Sequence, residues 1–373
     1  MKVEFSYLKS KFDGCMDPDH EIYLGLKKLM RNGDFTLGKE VEIFEEAVAK
    51  LIGSKYALGV ANGTDALRIS LRMAGVRPGD EVITAANTFV ASAGCIDELF
   101  AIPRFVDMAP NYVLDPKLIE RAITSKTKAI VPVHFTGEPC EMDEIMEIAS
   151  KHGIPVVEDA CQALMAEYKG KYVGNFGIAG AISLHPLKVL NGTGDGGVIV
   201  TNDKDFYDKC KLYRNHGLIG RNNVAGFGCN SRLDTIQAVF LNHLIKETPD
   251  ALRTRRLNAD YYDKALLKIP GVHLIKRRPY AKSCFHLYFI EVDAIVRDHL
   301  VEFLNLNDIE AKVHYPIPLQ GVLELCGYTR EDFPMAYHQS DRIITLPVHE
   351  HLSERKMRYV AESIQMYFEQ YYP

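Results

Sequence analysis

Ser183-Leu184-His185-Pro186-Leu187-Lys188-Val189-Leu190-Asn191-Gly192-Thr193-Gly194-Asp195-Gly196-Gly197 sets one lysine in a short polar turn. An apolar run, Ile178 to Leu184, precedes the turn, and another, Val198 to Val200, follows it. Four of the last six residues are glycine, which lets a backbone take positive φ and approach a ligand closely. A lysine held between two buried strands loses solvent. Desolvation disfavours its ammonium form and exposes a nucleophilic amine, as a Schiff-base lysine requires. Taken alone, the stretch also fits a surface lysine in a strand connection.

Working outward from this turn, the pattern alternates. Apolar runs read as strands at Tyr56–Ala61, Glu81–Ala85, Ile102–Val106, Ala129–Val133, Pro155–Glu158, Ala179–Leu184 and Val198–Thr201. Helical periodicity separates most of the first five, at Asp65–Met73, Ala91–Phe100, Pro116–Ile123 and Met142–His152. Such alternation predicts an α/β fold whose seven-stranded, mostly parallel sheet is covered by helices on both faces. Ligands of such sheets bind at the carboxyl ends of the strands. Amphipathic helices over 19–31 and Lys39–Ile52 come first. Between them, Gly33 to Glu40 imitates the phosphate-binding loop G-x-x-x-x-G-K-[ST]. It fails because Glu40 replaces the magnesium-holding hydroxyl and a helix precedes it. After Asp203, helices are expected to Arg214, over Leu233–Ile245 and over Ala251–Lys268. Strands at Val272–Lys276 and Phe285–Val292, a helix over Arg297–Leu306, a last strand pair and a helix over Glu354–Tyr371 complete a smaller α+β unit. The division expected is 1–245 for the large ligand-binding domain and 246–373 for the small one.

With 47% hydrophobic and 25% charged residues, the chain has the composition of a soluble globular protein. A net charge of -5 gives no footprint for nucleic acid. No stretch is apolar enough to span a bilayer, and the opening Met1-Lys2-Val3-Glu4-Phe5-Ser6 lacks the apolar segment of a signal peptide. The eight cysteines are scattered singly, so neither a zinc site nor a disulfide framework is expected, and a reducing cytoplasm fits. The tightest histidine–carboxylate group, His349-Glu350-His351, lacks further ligands. It reads as solvated polar surface, and no metal is expected.

Four places supply further chemistry. Asn62-Gly63-Thr64-Asp65-Ala66-Leu67 follows a strand and opens a helix, where free amides receive phosphate; a plain N-cap by Thr64 is the alternative. Phe89 ends the next strand and is either a ring for stacking on a planar cofactor or core packing. Val156-Val157-Glu158-Asp159-Ala160-Cys161-Gln162 ends a strand in carboxylates. Pyridoxal 5'-phosphate (PLP) acts as an electron sink while its pyridine nitrogen stays protonated, and a buried carboxylate keeps it so. Glu158 and Asp159 lie on opposite strand faces, so only one reaches a ligand. Gln162 could bond the ring hydroxyl, Ser183 the phosphate. Lys188 could hold PLP covalently and serve, once released, as general base. His134 sits at another strand end, as a ligand contact or as a satisfied histidine.

Together these residues resemble the DegT/DnrJ/EryC1/StrS family of sugar aminotransferases, PLP enzymes of fold type I, over nearly the whole chain. The family's N-terminal pattern appears as Gly33, Phe35, Gly38, Val41, Phe44 and Glu45. Its N-G-T loop is Asn62 to Leu67, its stacking aromatic Phe89, its E-D motif Glu158 to Ala163, and its S-x-x-x-x-K motif Ser183 to Lys188. Arg214 to Gly217, Gly228 to Leu233 and His314 to Leu319 match three further motifs.

The resemblance implies a homodimer with active sites at the subunit interface. Asn230, reaching the phosphate, and Arg232 come from the neighbouring chain, and His314 and Tyr315 lie near the sugar. It implies L-glutamate as amino donor and a nucleotide-linked 3- or 4-keto-hexose as acceptor, in amino-sugar or surface-polysaccharide synthesis. Two departures widen the acceptor. Thr136 stands where many relatives carry an aromatic, and the glycine-rich tail after Lys188 differs from that of many nucleotide-sugar members. A keto-sugar phosphate, or a free keto-sugar acid such as an oxidised Kdo, is therefore the alternative. A dehydratase of the same fold would carry histidine in place of Lys188. A non-catalytic sensor is a further alternative.

Overall fold

In the computed structural model, residues 1–372 are described. Seven strands build the main sheet: β1 (Tyr56–Val60), β2 (Glu81–Ala85), β3 (Ile102–Val106), β4 (Thr127–Val131), β5 (Val157–Asp159), β8 (Ala179–Ser183) and β9 (Gly197–Thr201). Two short strands, β6 (Glu167–Tyr168) and β7 (Lys171–Tyr172), form a separate ribbon with β10 (Ala281–Lys282). The sheet order is β3-β2-β4-β5-β8-β9-β1, with β4 and β5 joined by the parallel bridges Ile130–Val156 and Val133–Asp159. Every pairing is parallel except those of β9, which runs against both β8 and β1.

Adjacent residues alternate between two cores, as pleating demands. Ile83, Ile182, Val198 and Val200 enter one core with Val41, Phe44 and Val48 of the helix Lys39–Ile52. Val82, Ala181 and Ile199 enter the other with Leu67, Ile69 and Leu71 of the helix Gly63–Met73. Burial on both faces explains why the strands read as continuous apolar runs.

One polar clamp locks this assembly. Glu45 accepts the Gly59 amide at 2.7 Å, and the buried Arg214 donates to both Glu45 and the Gly59 carbonyl. Two of the recognised motifs thus hold β1 in place.

The C-terminal region differs from expectation in two ways. The separate helices expected over Leu233–Ile245 and Ala251–Lys268 are one helix, Thr235–Leu266, with Pro249 inside it. It runs across the expected 245/246 division. Proline removes one backbone donor and normally breaks a helix. Here Thr248 Oγ1 donates to the Leu244 carbonyl at 3.0 Å beside the break, and apolar residues on both sides remain buried. The expected strand Val272–Lys276 is reduced to one bridge, His273–Glu291. A two-stranded antiparallel unit, β11 (Tyr288–Glu291) with β12 (Ile343–Leu346), packs with the helices Ala294–Leu306 and Glu354–Tyr371 around a second core. Val3 joins that core, bridged to Ile309. The N-terminal segment therefore belongs structurally with the C-terminal unit.

Candidate active site

A cleft of about 480 Å³ opens at the carboxyl ends of β1, β2, β5 and β8. Gly63, Thr64, Phe89, Asp159, Gln162, Ser183, Lys188, His314 and Tyr315 all line it, so the structure gathers nine of the twelve residues singled out from the sequence.

After β1, Asn62 is extended and caps the helix Gly63–Met73 by accepting the Asp65 amide at 2.8 Å. Thr64 is therefore not the cap. The first-turn amides of Gly63 and Thr64 have no carbonyl partner within the helix and carry the positive end of its dipole. A Cβ at Gly63 would stand 2.9 Å from Ser183 Cβ and 3.0 Å from Cys161 Sγ. Glycine is what lets the helix start press against the ends of β5 and β8.

Asp159 is buried at the end of β5, with each carboxylate oxygen bonded: Ser92 Oγ donates to Oδ2 at 2.7 Å and the Cys161 amide to Oδ1 at 3.1 Å. Glu158 points to the other face. It accepts the amides of Gly174, Phe176 and Gly177 at 2.6–2.8 Å and lies 3.1 Å from His134 Nε2. The rivalry between the two carboxylates thus resolves to Asp159 in the cleft and Glu158 in the scaffold.

His134 needs correction as a ligand contact. It is fully buried and does not line the cleft; the Cys140 amide donates to Nδ1 at 3.0 Å, so Nε2–H donates to Glu158. Gln162 Oε1 accepts the Thr136 amide at 2.8 Å, and Nε2 donates to the Tyr315 hydroxyl at 3.2 Å. Thr136, the departure noted in the sequence, serves here to fix that amide. Phe89 is 47% exposed at the rim, its ring 6.2 Å from Tyr315, so it is not core packing.

Lys188 is half-buried. Burial lowers its ammonium below the ordinary value, opposed by the nearby Asp159 carboxylate. Its Nζ lies 3.4 Å from His286 Nε2. Its carbonyl accepts the Tyr7 hydroxyl at 3.1 Å. Gln237 holds the glycine tail beyond it, accepting from the Thr193 amide and hydroxyl at 3.0 and 2.9 Å. Burial also lowers His314 to about 4 and raises the Tyr315 hydroxyl above its ordinary value.

Of His349-Glu350-His351, His351 is exposed as expected, but His349 is buried and Glu350 half-buried. Tyr7 stacks on both rings at 5.0 and 5.5 Å, and Glu350 pairs with the buried Arg255 at 2.9 Å against the cleft wall. Among the described residues no group of three or more His, Cys, Asp or Glu could hold a metal. Asn230 and Arg232 do not line this chain's cleft. Asn230 is exposed, and Arg232 donates to Asn215 Oδ1 at 3.0 Å.

Sequence reasoning missed His286, Tyr7, Phe5 and Ser92. His286 did carry a signal, as a lone histidine in the apolar run Phe285–Val292. The other three reach the cleft only through tertiary packing.

The model of the DegT/DnrJ/EryC1/StrS aminotransferase family matches residues 17–365. The chain belongs to this family. It is an aminotransferase of fold type I, and the wide cleft at the strand ends is where that fold places its site. It is 39% identical to the "pleiotropic regulatory protein" of Geobacillus stearothermophilus, over 93% of this chain and 94% of the other. It is 35% identical to UDP-2-acetamido-2-deoxy-3-oxo-D-glucuronate aminotransferase of Pseudomonas aeruginosa, over 97% and 99%. Among solved structures it resembles DesV of S. venezuelae in complex with a ketimine intermediate, with TM-score 0.94, 32% identity and 99% of each chain covered.

Proposed function

We propose that this aminotransferase uses PLP held covalently by Lys188 Nζ to move an amino group from L-glutamate to a keto-sugar. The observation that carries the reading is the placement of a desolvated lysine in the same cleft as a buried, doubly hydrogen-bonded carboxylate and a free helix N-terminus.

The donor set fits the cofactor. Gly63 and Thr64 amides and the Ser183 hydroxyl suit a phosphate. Asp159 suits a protonated pyridine nitrogen, because its carboxylate is already held in place by Ser92 and Cys161. Phe89 offers a ring face and Gln162 an amide. Bound there, the cofactor supplies an electron sink for the amino group it relays. Lys188 then holds and moves the proton, its neutral amine favoured by burial. Tyr315 and His314 close the side where the sugar enters, and Gln162 orients the Tyr315 hydroxyl.

The acceptor we favour is a nucleotide-linked 3- or 4-keto-hexose. The name of the Pseudomonas relative, with its UDP-linked oxo-sugar, supports this choice. A keto-sugar phosphate or a free keto-sugar acid is the alternative.

The working unit we propose is a homodimer. Asn230 and Arg232 do not line their own cleft, and Phe227, Ile219 and Val224 nearby are strongly exposed. A second copy would cover them and bring Asn230 to the neighbour's phosphate. No described helix is long and apolar enough to cross a membrane. All eight cysteines are free, which supports a reducing cytoplasm.

The test is an absorbance spectrum of the PLP-loaded protein before and after glutamate. A visible band that moves to the near-ultraviolet with glutamate, and returns with a keto-sugar, is expected. Absence of any visible band with PLP would overturn the covalent attachment of PLP to Lys188. A band that ignores glutamate would move the donor assignment.

A further inference from the structure

His286 precedes β11 and lines the cleft from the C-terminal unit, as Asp159 and Ser183 line it from the strand ends. Its Nε2 lies 3.4 Å from Lys188 Nζ. Its Nδ1 is shielded from solvent and has no partner. Buried polar atoms are nearly always bonded, so an orphaned ring nitrogen asks for a reason. Among the described residues, the lysine is the one hydrogen-bond partner of this side chain.

Burial first, and then the positive charges of Lys188 and Arg255, keep the ring neutral. Lys188 itself faces Asp159, Cys161 and Cys284. An ammonium has only protons to give, so against charged Lys188 the ring accepts at Nε2 and carries its own proton on Nδ1, the atom without a partner.

We propose that His286 is the resting partner of the Lys188 amine, a positioning residue that accepts a hydrogen bond from Nζ whenever Nζ is not covalently engaged. This rests on the reading of Lys188 as the reactive amine. An ammonium held at Nε2 keeps its proton near the reacting atoms in place of a path to water. The imidazole also restrains where Nζ points within the cleft it shares with Asp159. No covalent step is added: the proton stays on nitrogen until the lysine gives it up.

The test uses three full-length proteins: wild type, His286→Phe and His286→Gln. Phenylalanine keeps the ring volume and removes the acceptor; glutamine restores an acceptor of similar reach. In the cofactor-free protein, labelling of Lys188 by trinitrobenzenesulfonate is followed against pH by peptide mass spectrometry. Loss of a charge-stabilising acceptor favours the neutral amine. His286→Phe should therefore move the labelling midpoint down by about one pH unit, roughly tenfold in protonation equilibrium, and His286→Gln should move it back. In the loaded enzyme, His286→Phe should lower kcat about tenfold with KM for glutamate nearly unchanged. A midpoint and kcat that match wild type in His286→Phe would overturn the proposal. So would His286→Gln behaving like His286→Phe. The labelling arm needs neither PLP nor turnover, so it stands apart from the spectral test of function.

Discussion

At the scale of single residues, the two adjacent carboxylates of β5 have divided roles, and the structure says what each is worth. Asp159→Asn removes the charge but keeps the shape and one acceptor oxygen, which can still take the Cys161 amide while the Ser92 hydroxyl turns to accept from the new side-chain amide. The expected result is a folded protein that still takes up PLP but turns over at least about a hundredfold more slowly; stopped-flow half-reactions with glutamate check it. Glu158→Ala should do the reverse. Three amides and His134 converge on that fully buried carboxylate. Its removal should cost about 3–5 kcal/mol of stability, read by urea unfolding. Equal losses of stability in the two variants would contradict this division. Strand alternation made the separation of 158 and 159 legible in the sequence. Which of them met the cleft was not, because that depends on which face the loops Phe135–Gly137 and Gly174–Gly177 cover. His134 went astray for the same reason: its partner is Glu158, on the scaffold side.

At the scale of elements, short periodic segments read well. The helices Lys39–Ile52, Met142–His152 and Glu354–Tyr371 and the strands β2 and β3 fall on the residues the sequence pattern marks. The long helix Thr235–Leu266 was hidden by Pro249, since local propensity forbids what tertiary packing on both sides of the proline sustains. The N-terminal segment was silent as well. It has too few residues for periodicity, and its value lies in contacts made far along the chain. Val3 pairs with Ile309, Phe5 stacks on His314 at 5.5 Å, and Tyr7 sits between His349 and Arg255. Tyr7 is the anchor: burial pushes its hydroxyl up to about 12, so it remains a donor to the Lys188 carbonyl. Tyr7→Ala should cost about 3–5 kcal/mol by loss of a buried aromatic. Tyr7→Phe should cost about 1 kcal/mol and loosen the lysine turn. Urea midpoints together with hydrogen exchange over residues 183–197 separate the two effects. Tyr7→Ala as stable as wild type would show that the segment does not brace the cleft.

At the scale of the whole molecule, the site sits between the sheet and the C-terminal unit, and the histidines the C-terminal unit contributes are kept uncharged. Burial lowers His314 and His349 to about 4, from an ordinary 6.5. Their folded values lie below the unfolded one, so the unfolded chain binds more protons in between. The stability they contribute is present above pH 6.5 and is lost as pH falls towards 4, by a few kcal/mol in all. Thermal unfolding should be flat above pH 6.5 and decline below it, and His349→Gln should lessen that decline. An unchanged slope would contradict it. The proposed dimer has its own test. Lys188→Ala and Asn230→Ala should each be impaired, yet after mixing and subunit exchange about a quarter of wild-type activity should return, because one site in each mixed dimer is intact. No recovery despite exchange would place Asn230 in its own chain's function.

The central claim is that Lys188 carries the cofactor. Borohydride reduction of the PLP-loaded protein, followed by digestion and mass spectrometry, tests it most directly. The account predicts a reduced pyridoxyl adduct on the peptide containing Lys188 and on no other lysine in comparable yield. An adduct on a different lysine, or none on Lys188, would contradict it.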